Sequence, residues 1–148
     1  MSGGHRALRP LRDADYGPVA AALCAITPAE PHTEATLRHL DAYLERRGME
    51  PARVVAEDER GRLLGHGLLV GRAESQGIEI GVLPGARRCG LGSALLDELE
   101  RLAAARGAAE LRTRWVAETD AAALGFLARR GFRERERAWP SRAAPTSG

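Results

Sequence analysis

GIEIGVLPGARRCGLGSALLDELERLAAARG, residues 77–107, is the stretch around which the rest of the chain is arranged. It divides into a short apolar strand, a basic glycine-containing turn and a long amphipathic helix. In the strand, 78–83, Ile78, Ile80 and Val82 point one way, and Glu79 shares the other face with Gly77 and Gly81. Glycine inside a strand goes with a bulge or with close approach of another backbone or a ligand. In the helix, Leu91, Leu95, Leu99 and Leu102 form one stripe flanked by Leu96 and Ala103, and Arg106 and Gly107 end it. Between them, the glycines let the backbone come close to a ligand, while the helix start offers unpaired N–H groups and the positive end of its dipole. That is the chemistry of an anion site.

Upstream, residues 5–10 (HRALRP) form a strand ending in proline, and Asp13 or Asp15 starts a helix to about Ala25 with Val19, Ala22, Leu23 and Ile26 on its apolar side. A loop with two prolines, 27–32, leads to a second helix. Thr33 is its N-cap, Glu34 stands in its first turn, Leu37, Leu40 and Leu44 recur at spacings of three and four, and Gly48 stops it. The period then becomes that of strands. Residues 53–57 (RVVAE), the turn 58–61 (DERG) and 62–71 (RLLGHGLLVG) make an antiparallel hairpin, and 73–77 turns into the strand described above. Downstream lie a strand over 110–116, a helix capped by Thr119 or Asp120 and closed by Gly131, and a last strand from Phe132 to Trp139. That strand carries the run RERER, which has almost no apolar face and suits a charged edge. This order predicts an α/β (α+β) domain with a mixed central sheet of about six strands flanked by four helices, over residues 1–140, and a disordered tail over 141–148.

Composition bounds the function. A chain of 148 residues with 44% hydrophobic and 28% charged residues builds one globular core without a staple. The net charge of +2 does not by itself imply nucleic acid, and the chain has no contiguous basic arm, aromatic stacking stripe or recognition-helix signature. All 22 basic residues are arginine. Two cysteines, Cys24 and Cys89, without a signal peptide upstream lead us to expect a reducing cytoplasm. No apolar run approaches the roughly 20 residues that span a bilayer, so no membrane partner is expected. The four histidines have no metal-ligand spacing, and no metal is expected.

Two familiar phosphate-binding turns fail on their residues. A dinucleotide fingerprint needs a third glycine where this chain has Leu95, and a P-loop needs the lysine that this chain lacks. What is present is Arg87-Arg88-Cys89-Gly90-Leu91-Gly92, of the form Q/R-x-x-G-x-G/A, with Val82-Leu83-Pro84 just before it. Together with Ala123 and the later Arg129-Arg130-Gly131-Phe132, this resembles the GNAT superfamily of acyl-CoA-dependent N-acetyltransferases over nearly the whole chain. The resemblance implies that the turn holds the pyrophosphate of acetyl-CoA through Arg87, Arg88, Cys89, Gly90, Leu91, Gly92 and Ser93, with Asp120 at a position where relatives often have Asn. It further implies that the backbone of Val82 and Leu83 pairs with pantetheine, one N–H polarising the thioester carbonyl. The acceptor is then a small-molecule amine or an N-terminal amino group, and the protein a monomer or homodimer.

An amine with a pKa near 10.4 must lose a proton before it attacks, which costs about 4 to 5 kcal/mol at neutral pH if left to solution. Glu79, on the glycine-bearing face of the central strand, is the first candidate for that general base, its structural alternative being a surface or salt-bridged carboxylate. Glu118 and Asp120 come second, with helix capping as the default role of Asp120. Many relatives place a tyrosine that protonates the leaving thiolate four residues before the glycine of the Gly-Phe pair. Here that residue is Leu127, and neither Tyr16 nor Tyr43 occupies the position. A thiol of pKa near 8.5 leaves as thiolate at a cost of only about 2 kcal/mol at pH 7, and water or Ser93 could supply the proton. The alternative expectation is an acyl-CoA-binding or regulatory domain with weak catalysis. Cys89 has no visible partner base for nucleophilic work, and His66 either faces the acceptor cleft or is a packed or exposed strand histidine.

Overall fold

The protein is described from a computed structural model that covers residues 7–26, 28, 31–86, 90–113, 121–132 and 142–143. Among the described residues six strands form one sheet in the order β1-β2-β3-β4-β5-β6: β1 is Ala7–Pro10, β2 Ala52–Glu57, β3 Leu63–Arg72, β4 Ser75–Val82, β5 Glu110–Thr113 and β6 Arg142–Ala143. All neighbours are antiparallel except β4 and β5. Two helices, α1 (Tyr16–Ile26) and α2 (Glu34–Arg46), stand between β1 and β2 in the chain. A third, α3 (Leu91–Ala105), makes the crossover that a parallel pair requires, and α4 (Ala121–Arg129) follows β5.

Local signals account for most of these limits. The Thr33 side chain accepts the Thr36 N–H at 3.0 Å, and Gly48, Gly107 and Gly131 take left-handed φ values of 75°, 78° and 89° just past α2, α3 and α4. Asp58 closes the first hairpin by accepting the N–H groups of Arg60 and Arg62 at 2.8 and 2.9 Å. The second hairpin is tighter than expected. Arg72 pairs with Ser75, leaving a turn of Ala73 and Glu74 with Ala73 at φ 44°, so β4 begins at Ser75 where a loop was expected to 77. The β3 ladder continues to Ser75 because Gln76, inside the expected turn, is buried and donates from Nε2 to the Ala73 carbonyl.

Strand alternation sorts the side chains onto two faces. One face carries Val54 and Ala56 of β2, Leu69 of β3 and Ile78 of β4, and packs against Leu91, Leu95, Leu96, Leu99 and Ala103 of α3. Phe126 and Leu127 of α4 join that cluster, so α3 and α4 share a side. The opposite face carries Val55 against Val19 and Ala20 of α1 and Leu37 of α2. Arg9 in β1 ties the sheet edge to both neighbours on this second side, pairing with Asp15 at 2.7 Å and Glu57 at 3.1 Å.

Beyond Phe132 the expected last strand lies outside the described residues, as do 114–120. Arg142–Ala143, within the stretch expected to be a disordered tail, pairs antiparallel with β5, whose outer edge offers backbone groups for such pairing. Among the described residues no helix is long and apolar enough to cross a membrane.

Candidate functional site

The turn ends where α3 begins. Gly90 is the N-cap at φ 75° and ψ 8°, a left-handed conformation open to glycine without penalty, and it has no side chain with which to cap the helix. The first bond within the helix runs from the Ala94 N–H to the Gly90 carbonyl at 3.1 Å. By helix geometry the Leu91, Gly92 and Ser93 amides then lack intrahelical acceptors, and with the positive dipole end they form an anion-receptive surface. Leu91 is buried in the core and thereby seats this turn, while Gly92 and Ser93 remain half-exposed. A Cβ on Gly92 would meet Phe126 Cζ at 3.9 Å, so α4 borders the same helix start. Arg130, at the end of α4, holds the two helices together through Asp97 and Glu100 of α3.

Next to the turn, β4 delivers its last residues. The Leu83 N–H donates to the Leu64 carbonyl at 2.9 Å and so is committed to β3. In an antiparallel ladder the direction of these groups alternates, which turns the Val82 amide away from β3, toward the β5 side. Of the two backbone groups expected to meet pantetheine, the Leu83 N–H is thus taken up by β3 and the Val82 N–H faces the β5 side. Pairing between β4 and β5 is described from Ser75 with Glu110 to Ile78 with Thr113. Glu79 is half-buried on the α1/α2 face, in register with buried Leu68 of β3. Gly81 follows on the same face in register with His66.

That face conceals a chain of polar groups. Arg53 of β2 is buried and bidentate to Asp41 of α2, at 2.8 Å from Nη2 and 3.1 and 3.0 Å from Nε. The Tyr16 hydroxyl donates to the other side of Asp41 at 2.6 Å, and Arg53 Nη1 lies 3.1 Å from His66 Nε2. A guanidinium only donates, so Nε2 accepts and the His66 proton is on Nδ1. The imidazole is neutral: burial first, and then the positive charge of Arg53, lower its pKa from 6.5 to about 3. Burial, followed by the bond to Asp41, pushes the Tyr16 hydroxyl up to about 12. Of the two histidine readings, the packed one holds. Tyr16 is engaged on this face and serves Asp41.

The structure thus brings Val82, Leu83, Gly90, Leu91, Gly92 and Ser93 to the junction of β4 and α3, with Glu79 on the opposite face of the same strand. Arg87, Arg88, Cys89, Glu118 and Asp120 lie outside the described residues. Leu127 is half-buried against the α3 cluster and offers no proton donor. Sequence reading missed the Tyr16–Asp41–Arg53–His66 chain, although one signal for it was present. Asp41 stands four residues after Leu37 and three before Leu44, on the apolar stripe of α2, where a carboxylate requires a buried partner.

The model of the acetyltransferase (GNAT) family matches residues 13–132. Among solved structures the chain is similar to an acetyltransferase of Trypanosoma brucei, with 25% identity, a TM-score of 0.72, and coverage of 90% of this chain and 96% of that one. It is similar in fold to a phosphinothricin acetyltransferase of Sinorhizobium meliloti in complex with acetyl-CoA, at 22% identity, TM-score 0.73, and 93% and 85% coverage. The PaiA N-acetyltransferase of Thermoplasma acidophilum, in complex with coenzyme A, matches at 14% identity, TM-score 0.75, and 94% and 98% coverage. None of the curated proteins matches the chain.

Proposed function

Because the chain belongs to the acetyltransferase (GNAT) family, we propose that it transfers an acetyl or other acyl group from acyl-CoA to a primary amine, by direct attack in a ternary complex. The observation that carries this reading is the start of α3, opened beside the end of β4 by left-handed Gly90, an N-cap without a side chain. Its amides suit a pyrophosphate, each charge near a helix start being favoured by about 0.3–1 kcal/mol and more when partly buried. Gly90, Leu91, Gly92 and Ser93 hold the diphosphate there, with Arg87, Arg88, Cys89 and Asp120 as further contacts. The end of β4 receives the pantetheine arm, and the Val82 N–H, directed toward β5, polarises the thioester carbonyl.

Glu79 takes the proton from the acceptor ammonium, directly or through water, since solution alone leaves a cost of about 4 to 5 kcal/mol at neutral pH. The free amine forms its bond to the carbonyl carbon, the oxyanion rests on the Val82 N–H, and collapse breaks the carbon–sulfur bond. CoA departs as thiolate, and the second proton of the amine nitrogen passes to it through water or the Ser93 hydroxyl, leaving a neutral amide and the free thiol. Leu127 supplies none, and this favours one second reading, a domain that binds acyl-CoA with weak or no turnover. The acceptor is a small molecule or an N-terminal amino group, and the protein works as a monomer or homodimer.

Acetyl-CoA at 100 times its Kd stabilises the fold by about 2.7 kcal/mol, read as a rise in melting temperature. Gly92→Trp removes that rise while the circular dichroism spectrum is unchanged, and Glu79→Gln keeps it but lowers kcat by about 100-fold, most at low pH. If neither acetyl-CoA nor longer acyl-CoAs shift the melting temperature, both readings fall. A shift without CoA release from any amine leaves the binding domain.

A further inference from the structure

We propose that Ile26 sets the shape of the acceptor, admitting amines carried on an unbranched carbon and excluding those branched next to the nitrogen. This rests on the acyltransferase reading above and goes beyond it by assigning selectivity to one residue. Ile26 is the last residue of α1, and it is only half-buried. A Cβ built on Gly81 would lie 2.9 Å from Ile26 Cδ1, 3.6 Å from Cγ2 and 3.9 Å from Cγ1. The isoleucine therefore occupies the space that any larger residue at 81 would claim, and lies directly on the backbone of β4.

The position matters because of what adjoins it along the strand. Glu79, the base of the proposed reaction, is two residues earlier on the same face, and Val82, the proposed oxyanion donor, comes next after Gly81. An amine that reaches the carboxylate and the thioester together approaches β4 beside Ile26. The floor there is closely packed. His66, in register with Gly81, is 1% exposed and held by Arg53, which Asp41 grips in turn. Leu68, in register with Glu79, is 3% exposed. Against this packed floor, the δ- and γ-methyl groups of Ile26 decide the free width. A single methylene in such an apolar contact changes discrimination by about 10- to 200-fold.

The test compares n-butylamine with sec-butylamine, acetyl-CoA being saturating and released CoA being measured. The wild type prefers the unbranched amine by at least about 10-fold in kcat/KM. Ile26→Ala reduces that preference at least about fivefold, through KM for the branched amine, and Ile26→Val falls between; KM for acetyl-CoA and its thermal shift stay as in the wild type. Gly81→Ala, which meets Ile26 at 2.9 Å, lowers activity with both amines, and adding Ile26→Ala restores it. An unchanged preference in Ile26→Ala, failure of the double variant to recover, or acetyl-CoA binding without acetylation of either amine overturns the assignment alone. Absence of a shift with acetyl-CoA and with longer acyl-CoAs in the wild type instead removes the acyltransferase reading beneath it.

Discussion

His66 shows how a single buried residue couples the fold to pH. Its neighbours in charge are Arg53, Asp41 and His32, of which the first and last oppose a proton on the ring and Asp41 favours one, with burial outweighing all three. The folded pKa is about 3 against 6.5 for the free group, so below pH 6.5 the unfolded chain binds a proton that the folded chain refuses. Stability from this residue is therefore intact at neutral pH and falls as pH drops from about 6.5 toward 3. At pH 5 the loss is about 2 kcal/mol relative to pH 7.5. The lowered carboxyl pKa values of Asp13, Asp15, Asp58 and Glu98 matter only below the ordinary carboxylate range, so the window from pH 5 to 7.5 isolates histidine. In urea titrations His66→Gln, which keeps an acceptor for Arg53, loses about 2 kcal/mol less than the wild type across that window. An equal loss in both proteins would show that His66 is not held neutral.

Helix α3 and strand β3 fit one another through missing side chains. A Cβ on Gly65 would stand 3.0 Å from the Gly81 carbonyl oxygen and 3.2 Å from Leu95 Cδ1, and one on Gly67 would stand 3.1 Å from Leu99 Cδ1. Both glycines let the helix settle close to the sheet, which brings Leu95 and Leu99 to full burial and sets the height at which the α3 start meets the end of β4. Gly65→Val overpacks this contact against backbone, and its unfolding free energy in urea falls by about 1–3 kcal/mol. A variant as stable as the wild type would mean that α3 has room to spare. At this scale much was legible. Thr33, Gly48, Gly107 and Gly131 punctuate helices through groups within a few residues of themselves, so the sequence locates them. The start of β4 was not, because Gln76 is held inside the sheet by a turn and by Arg106 Nη1, which donates to its Oε1 at 2.9 Å from α3's far end.

Across the whole molecule, the sheet separates two tasks. On one side α3 and α4 frame the start of α3, where an acyl-CoA diphosphate is proposed to bind; on the other, α1 and α2 cover Glu79, Gly81 and His66. Arg53 and Asp41 join β2 to α2, and Tyr16 joins α1 to the same carboxylate, so these two helices are fastened to the sheet by charge as well as by Val19 and Leu37. Removing one partner strands a buried charge: Asp41→Leu costs about 3–5 kcal/mol. Arg53→Met in the same chain returns a good part of that loss, because the uncompensated guanidinium is gone. Urea unfolding of the single and double variants measures the difference, and a double variant no more stable than Asp41→Leu would remove the charge argument.

By itself the sequence determined the order of the elements from β1 to α4, the sheet-and-helix class and the long helix that Gly90 opens, because periodicity, caps and left-handed glycines act within a few residues. It also carried the motif by which the family is identified. Only the tertiary structure decided what lies over the α1/α2 face of the sheet. Tyr16 and Asp41 are 25 residues apart and Asp41 and Arg53 are 12 apart, and no local rule brings them together. Their meeting depends on how two helices sit on a twisted sheet. The same holds for Ile26 on Gly81, and for the ladder that commits the Leu83 amide to Leu64 and turns that of Val82 the other way.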